Sequence, residues 1–249
     1  MKITSVNNPL IKSLKKLKNK KNRNQEQMFL IEGYHLVQEA YLHGKLTMVL
    51  GVNEKDLNYD IPSYLVTKEI INKLSSTENP QMIVGVAKMF EQRQKIKNKI
   101  LLLDDIQDPG NLGTIIRTAV AFGIDNIFLS ENSVDLYNEK VIRATQGAIF
   151  KLPITRQPLK EVVKMIKKKK ILIFGSTLVN GVSLNNILPC QQFALIMGNE
   201  ARGLSSDLLA LTDTNIYIPM KNEVESLNVG IAAAIILYKL IENDLNILL

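Results

Sequence analysis

Three stretches of the chain place polar side chains where chemistry could use them. In the first, 103–117, a Pro109-Gly110 turn feeds a helical pattern in which Arg117 is the sole charged residue between Pro109 and Ile124. A long cation among small and apolar residues is costly unless something anionic or polar answers it. Two partners fit: an internal carboxylate, Asp105 or Asp108, or an outside phosphate or reacting hydroxyl. In the second, 194–205, an apolar run ends in a loop holding Gly198 and Gly203, with Glu200 and Arg202 projecting from it. Glycines there suit close approach of the backbone to a ligand. A solvent-exposed acidic turn is the other reading. In the third, 218–238, Pro219 ends a short strand and Ser226-Leu227-Asn228 opens a helix predicted to reach about Asn243. Ser226 reads as its N-cap. Free N–H groups, the positive end of a helix dipole, a hydroxyl and an amide make that turn a place to hold something polar. An ordinary capped helix packed on a sheet is the alternative.

Each stretch follows a predicted strand. Short apolar runs at 100–105, 126–130, 171–176, 193–197 and 215–218 alternate with helical patterns near 113–122, 138–147, 159–169, 205–211 and 227–243. Such alternation implies an α/β domain with a parallel sheet covered on both faces, and ligands of such sheets sit beyond the carboxyl ends of the strands. No Gly-x-Gly-x-x-Gly follows a predicted strand and no Gly-x-x-x-x-Gly-Lys-Ser/Thr occurs, so the usual dinucleotide and phosphate-loop signatures are missing. Upstream, 9–20 reads as a basic amphipathic helix. Strands at 28–32, 46–52, 63–66 and 81–89, with helices at 34–42 and 68–74, make a smaller α/β unit. The division is therefore a first domain at 1–90, a polar linker at 91–99 and a second domain at 100–249.

The charge is divided in the same way. Residues 1–99 hold 17 Lys+Arg against 9 Asp+Glu, or +8, within a chain total of +7. Eight of those cations lie in the first 25 residues, which contain no acid. The asymmetry points to a polyanion gripped by the first domain, with a solubility tail as the other explanation. One cysteine, Cys190, forbids an internal disulfide and implies a reducing compartment. With two histidines and that one cysteine, a zinc site is not expected. No apolar run is long enough to span a bilayer, and no signal peptide is read at the N-terminus.

"DDIQDPGNLGTIIRTAVAFG", "LIMGNEARGLS" and "IPMKNEVESLNVGIAAAIILY" resemble, in order, the three motifs of the SpoU (TrmH) RNA 2′-O-methyltransferases of the SPOUT superfamily. "RATQGAIFKLPI" resembles the family too. "FLIEGYHLVQEA" is similar to the L30e-like substrate-binding domain that many members carry. The resemblance implies a parallel α/β sheet with a C-terminal trefoil knot, and a homodimer through that domain. It implies S-adenosylmethionine held by Gly198, Ile218 and Leu227, with weaker matches at Ser176 and Met220. It gathers Asn111, Arg117, Glu200, Ser226 and Asn228 around a ribose 2′-hydroxyl. A guanidinium hardly deprotonates, so Arg117 is expected to fix the target phosphate and ribose, with Asn111 and Glu200 orienting it. Structured RNA is the implied substrate, ribosomal RNA first and tRNA second, in the cytoplasm and without metal. A non-catalytic RNA-binding or ribosome-assembly factor on the same fold is the competing reading.

Overall fold

The computed structural model describes residues 2–90, 95–178, 181–221 and 225–242. The chain folds into two compact units. The first holds residues 1–89 together with 135–151; the second holds 90–134 and 152–249. Residues 135–151, assigned by sequence to the second domain, thus pack within the first unit. Four residues of the expected linker, 91–94, lie outside the described residues.

The first unit is a five-stranded mixed sheet. In chain order its elements are β1 (Lys2–Ile3), α1 (Pro9–Lys16), α2 (Lys20–Glu26), β2 (Met28–Glu32), α3 (Tyr34–Leu42), β3 (Leu46–Gly51), β4 (Ser63–Val66), α4 (Lys68–Leu74) and β5 (Ile83–Lys88). The strands lie in the order β1-β4-β3-β5-β2, with β5 antiparallel to both neighbours. The basic helix starts as expected, with Pro9 in the first turn and the Asn8 side chain accepting from Leu10 N. Its buried stripe of Ile11 and Leu14, continued by Leu17, joins Ile3, Ile70, Ile71 and Leu74 in the core, while Lys12, Lys15 and Lys16 are exposed. It ends four residues earlier than expected. The Asn19 side chain accepts from Lys21 N and starts α2 instead. A short polar side chain that bonds its own backbone competes with helix continuation.

The inserted segment 135–151, with α6 (Glu139–Thr145) at its centre, is held by packing and charge. Phe29 meets Tyr137 and Phe150, with ring centroids 4.7 and 6.3 Å apart. The buried Arg23 guanidinium donates to Asp135 and to the carbonyls of Leu17 and Lys18. Gly147 has φ +84°, and a Cβ there would stand 2.6 Å from Glu39 Cγ, so this approach needs glycine.

The second unit is a seven-stranded sheet in which every pairing is parallel. Its elements are β6 (Lys99–Leu103), α5 (Pro109–Ala121), β7 (Asn126–Leu129), β8 (Ile154–Arg156), α7 (Leu159–Lys168), β9 (Leu172–Ser176), β10 (Val182–Ser183), β11 (Phe193–Met197), α8 (Ser206–Leu209), β12 (Thr214–Tyr217) and α9 (Val229–Ile241). The order is β10-β12-β9-β11-β6-β7-β8. The two-residue β10 and three-residue β8 sit at the edges; both are too short for an apolar run to announce. The central strands Lys-Ile-Leu-Leu-Leu and Phe-Ala-Leu-Ile-Met are buried almost throughout, as a sheet covered on both faces requires.

Alternation along the strands divides them between two cores. Ile100, Leu102, Ala194 and Ile196 pack with Leu159, Val162, Val163 and Ile166 of α7 and with Leu208 of α8. The intervening Leu101, Leu103, Leu195 and Met197 point to the other face. The β6–α5–β7 crossover runs along the sheet opposite to the β8–α7–β9 one. Right-handed crossovers therefore put α5 on that other face, with α9 beside it. α9 starts two residues after the expected 227, and the expected end at 243 lies outside the described residues.

Removing one partner from a buried ion pair leaves an uncompensated charge, which costs about 3–5 kcal/mol. Asp135→Ala is expected to destabilise the chain by about that amount, measured by urea unfolding. Arg23 and Asp135 replaced together by Met and Leu should recover much of the loss. A single Asp135→Ala within about 0.5 kcal/mol of the parent would mean that the inserted segment is not held this way.

Candidate active site

The helices α5 and α9 lie side by side and parallel, because three residue pairs that meet across them share almost the same offset. Asn111 meets Asn228. A Cβ on Gly230 would touch Thr114 at 3.2 Å. Phe122 meets Tyr238 at 6.1 Å. Two helix N-termini are therefore adjacent at the carboxyl edge of the sheet. Asp108 caps the first, its Oδ1 accepting from Asn111 N at 2.7 Å. Asn228, and not Ser226, caps the second: its Oδ1 accepts from Gly230 N at 2.9 Å and Ile231 N at 3.3 Å. Ser226 lies two residues outside the cap, exposed. The backbone turn that Asn228 makes leaves the serine hydroxyl free for another role.

Asn111 joins the motifs. Its Nδ2 donates to Glu200 Oε1 at 3.0 Å, and its Oδ1 accepts from Asn228 Nδ2 at 2.8 Å. A single amide thus links the carboxylate of the second motif to the cap of α9. Both Asn111 hydrogen bonds are satisfied only with the amide this way round, so Glu200 and Asn228 fix each other's orientation through it. The chain of dipoles runs from a negative carboxylate to the positive end of α9, the favourable direction.

The loop carrying Glu200 is pinned by a residue that the motifs did not single out. Asn199 Nδ2 donates to the Asp105 carbonyl at 2.8 Å and to its carboxylate at 3.2 Å. Asn199 Oδ1 accepts from Ala201 N and Arg202 N. Its backbone exchanges two hydrogen bonds with Gly203, which has φ +69°. At Gly198 an added Cβ would stand 2.3 Å from the Gly203 backbone, so no other residue fits without moving the loop. The signals for Asn199 were its place directly after Gly198 and the left-handed backbone of Asp105, φ 56°; the second is invisible in sequence.

Behind these groups is a cavity of about 320 Å³, within the second unit. All five sequence-predicted cofactor residues line it: Ser176, Gly198, Ile218, Met220 and Leu227. Glu200 and Ser226 line it as well, as do Thr177, Leu178 and Val229, which sequence reasoning missed. The lining comes from the loops after β9, β11 and β12, three neighbouring strands. Apolar walls with a few polar groups at one end are the usual make-up of a small-molecule site.

Of the five residues expected around the ribose, Asn111 and Asn228 do not line the cavity but are linked to it through Glu200, and Arg117 is not linked to it at all. Arg117 is exposed and does not line the cavity. Neither internal carboxylate answers it: Asp105 accepts from Asn199 and Gln107, and Asp108 caps α5. Among the described residues Arg117 has no hydrogen bond or ion pair. Also among the described residues, no group of three or more His, Cys, Asp or Glu could hold a metal ion, and no helix is long and apolar enough to cross a membrane.

Residues 98–238 match the SpoU rRNA methylase family, and residues 8–85 match an MRM3-like substrate-binding domain. The chain belongs to the SpoU rRNA methylase family. It is 40% identical, over 96% of its length and 98% of the relative's, to the 23S rRNA (guanosine(2553)-2′-O)-methyltransferase RlmP of Bacillus subtilis (strain 168). Its fold is similar to a putative RNA methyltransferase of the TrmH family from Porphyromonas gingivalis, with TM-score 0.88, 30% identity, and 96% and 99% of the two chains covered. It is also similar to an AdoMet-bound rRNA methyltransferase from Sinorhizobium meliloti, with TM-score 0.85, 29% identity, and 96% and 97% covered. In this SpoU-family chain, then, the Glu200–Asn111–Asn228 array meets the cavity through Glu200.

Asn228→Ser separates capping from linkage. Serine caps about as well as asparagine, so the melting temperature should stay close to the parent's, while the link to Asn111 is lost. Methyl transfer is expected to fall about tenfold or more, the range given by one misplaced positioning group. Asn228→Ala should lose both, with about 1 kcal/mol of stability gone as well. Full activity in the serine variant would show that the link is not used.

Proposed function

We propose that this methyltransferase transfers a methyl group from S-adenosylmethionine to a ribose 2′-hydroxyl in structured RNA, ribosomal RNA before tRNA. One observation carries the reading: the hydrogen-bonded Glu200–Asn111–Asn228 array opens onto the cavity lined by Ser176, Gly198, Ile218, Met220 and Leu227. The ribosomal preference rests on the MRM3-like domain and on the B. subtilis relative. When bound, S-adenosylmethionine supplies a methyl already activated on a sulfonium.

The protein's share is then to align the methyl with a weak nucleophile and to help a proton leave. Gly198 and the loops beside it hold the donor through backbone groups. Glu200, oriented by Asn111, and Ser226, freed from capping, position the ribose at the N-terminus of α9. A phosphate oxygen of the RNA or a water accepts the proton. The deep trefoil threading of the family belongs with this reading; three loops from neighbouring strand ends closing on one cavity support it.

The free Arg117 favours a homodimer. On α9, Ile231, Ile235 and Tyr238 are 53%, 39% and 52% exposed, at the spacing of a single helix face. Phe122, the C-cap of α5, lies against Tyr238, and Thr114, Arg117 and Ala121 form the exposed side of α5. A second copy covering this face would bury the apolar stripe and bring Arg117 to the RNA beside a site. There its planar fork holds a phosphate in a way that lysine cannot. With Cys190 the single cysteine, the cytoplasm is the compartment.

Arg117→Lys is expected to lower kcat/KM by about tenfold or more with S-adenosylmethionine affinity unchanged by calorimetry. Near-parental turnover would remove Arg117 from the reaction. Ile235→Glu should give a monomer in sedimentation, inactive but folded. Ribose-methyl mapping of rRNA and tRNA from cells with and without the gene identifies the target, and an unchanged map in both pools would defeat the substrate assignment.

A further inference from the structure

Three of the chain's seven tyrosines gather on one face of the first unit, around an open cleft of about 460 Å³. Tyr34, His35 and Gln38 line it from α3, and Lys55, Asp56, Asn58 and Tyr59 from the turn after β3. Tyr34 is 42% exposed, while no phenylalanine is exposed among the described residues. Tyr59 is held edge-on by Tyr41, with centroids 5.0 Å apart and planes at 69°, so the second ring is braced by a third. The Tyr34 hydroxyl and Asn53 Nδ2 both donate to Asp56 Oδ2, at 3.0 and 2.8 Å. Asp56 Oδ1 accepts from no group among the described residues. Burial first, and then Asp56, raise the pKa of the Tyr34 phenol, so it stays a donor to that carboxylate.

A hydrophobic contact surface would not hold a carboxylate with a free oxygen, and a phosphate site would not be built around one. Braced rings beside an oriented acceptor instead match an unpaired base, which stacks by its face and donates from its edge. Guanine is the base with two N–H donor groups on one edge. Lys55 at the rim, within residues 1–99 that carry +8, suits the attached phosphates. We propose that this cleft holds one unpaired base of the RNA, guanine by preference, packed against both Tyr34 and Tyr59 with its N–H edge on Asp56. The proposal rests on the reading of this chain as an RNA-modifying enzyme and assigns part of its substrate recognition to named residues far in sequence from the methyl-transfer motifs.

The test is fluorescence anisotropy of the full chain on two labelled single-stranded oligoribonucleotides, a uridine tract and the same tract with one central guanosine. The parent should bind the guanosine strand more tightly. Tyr34→Ala and Tyr59→Ala should each weaken that binding by about fivefold or more, the range for a lost base stack. Tyr34→Phe, which keeps the ring but loses the hydroxyl that orients Asp56, should bind the uridine tract as the parent does and lose part of the preference for guanosine. Asp56→Asn should erase the preference for guanosine. Circular dichroism and S-adenosylmethionine calorimetry, unchanged in every variant, separate base binding from misfolding. Equal binding of both strands by the parent overturns the proposal. So does unchanged affinity in Tyr34→Ala and Asp56→Asn, which would hand the cleft to a protein partner or to none. Absence of methyl transfer to any RNA would defeat the functional reading and leave the anisotropy result standing.

Discussion

The candidate site depends on one side-chain amide. Asn111 donates to a carboxylate from its Nδ2 and accepts from a second amide at its Oδ1, two functions at opposite tips of one side chain. Aspartate would repel Glu200, while serine is too short to span the two. The amide works because α5 and α9 start at the same level, so that Asn111, in the first turn of one helix, faces the cap of the other. The register is in turn set by packing lower down. Thr114 lies against Gly230, where a larger residue would push the helices apart, and Phe122 lies against Tyr238. Packing about one and three turns away therefore decides a polar geometry at the rim, as expected in a close-packed interior that transmits small displacements.

The second constraint is backbone crowding in the loop after β11. Gly198 passes within van der Waals contact of the Gly203–Leu204 peptide, and Asn199 ties the loop to Asp105 at the end of the neighbouring β6. A loop held in this way presents its N–H groups in fixed directions, which lowers the ordering cost of binding. Asp105 in a left-handed conformation is part of the same device: it turns its carbonyl and carboxylate toward one amide. The cost of that strained backbone falls where a ligand site is built, the usual location for it.

Much of this was legible because the sheet is parallel and buried. Runs such as Leu101–Leu103 and Phe193–Met197 have no amphipathic reading, and each is followed by a loop with glycine, asparagine or proline. Strand ends and helix starts therefore mark the site even before the motifs are compared with a family. Three features resisted. Ser226 and Asn228 are equally good caps by residue type, and only the backbone path selects the second. Arg117 invited an internal partner because Asp105 and Asp108 are near in sequence, but their acceptors are committed to Asn199, Gln107 and the backbone of α5. Residues 135–151 read as another helix of the second domain, since local periodicity does not say which sheet a helix covers. Their destination is fixed by tertiary pairs, Arg23 with Asp135 and Phe29 with Tyr137 and Phe150, from partners more than a hundred residues away.

That insertion changes what a domain boundary means here. A cut at 90 severs the chain at one point but leaves Tyr137, Ile149 and Phe150 without the surface they bury against, and leaves the Arg23 guanidinium without its carboxylate. Each fragment would then lack something that the other supplies: the first its covering segment, the second a place to put apolar side chains. The basic first unit and the near-neutral second unit are thus distinct in charge and in sheet topology, yet not independent in folding. Exchanging the whole first domain for another would therefore have to carry 135–151 with it.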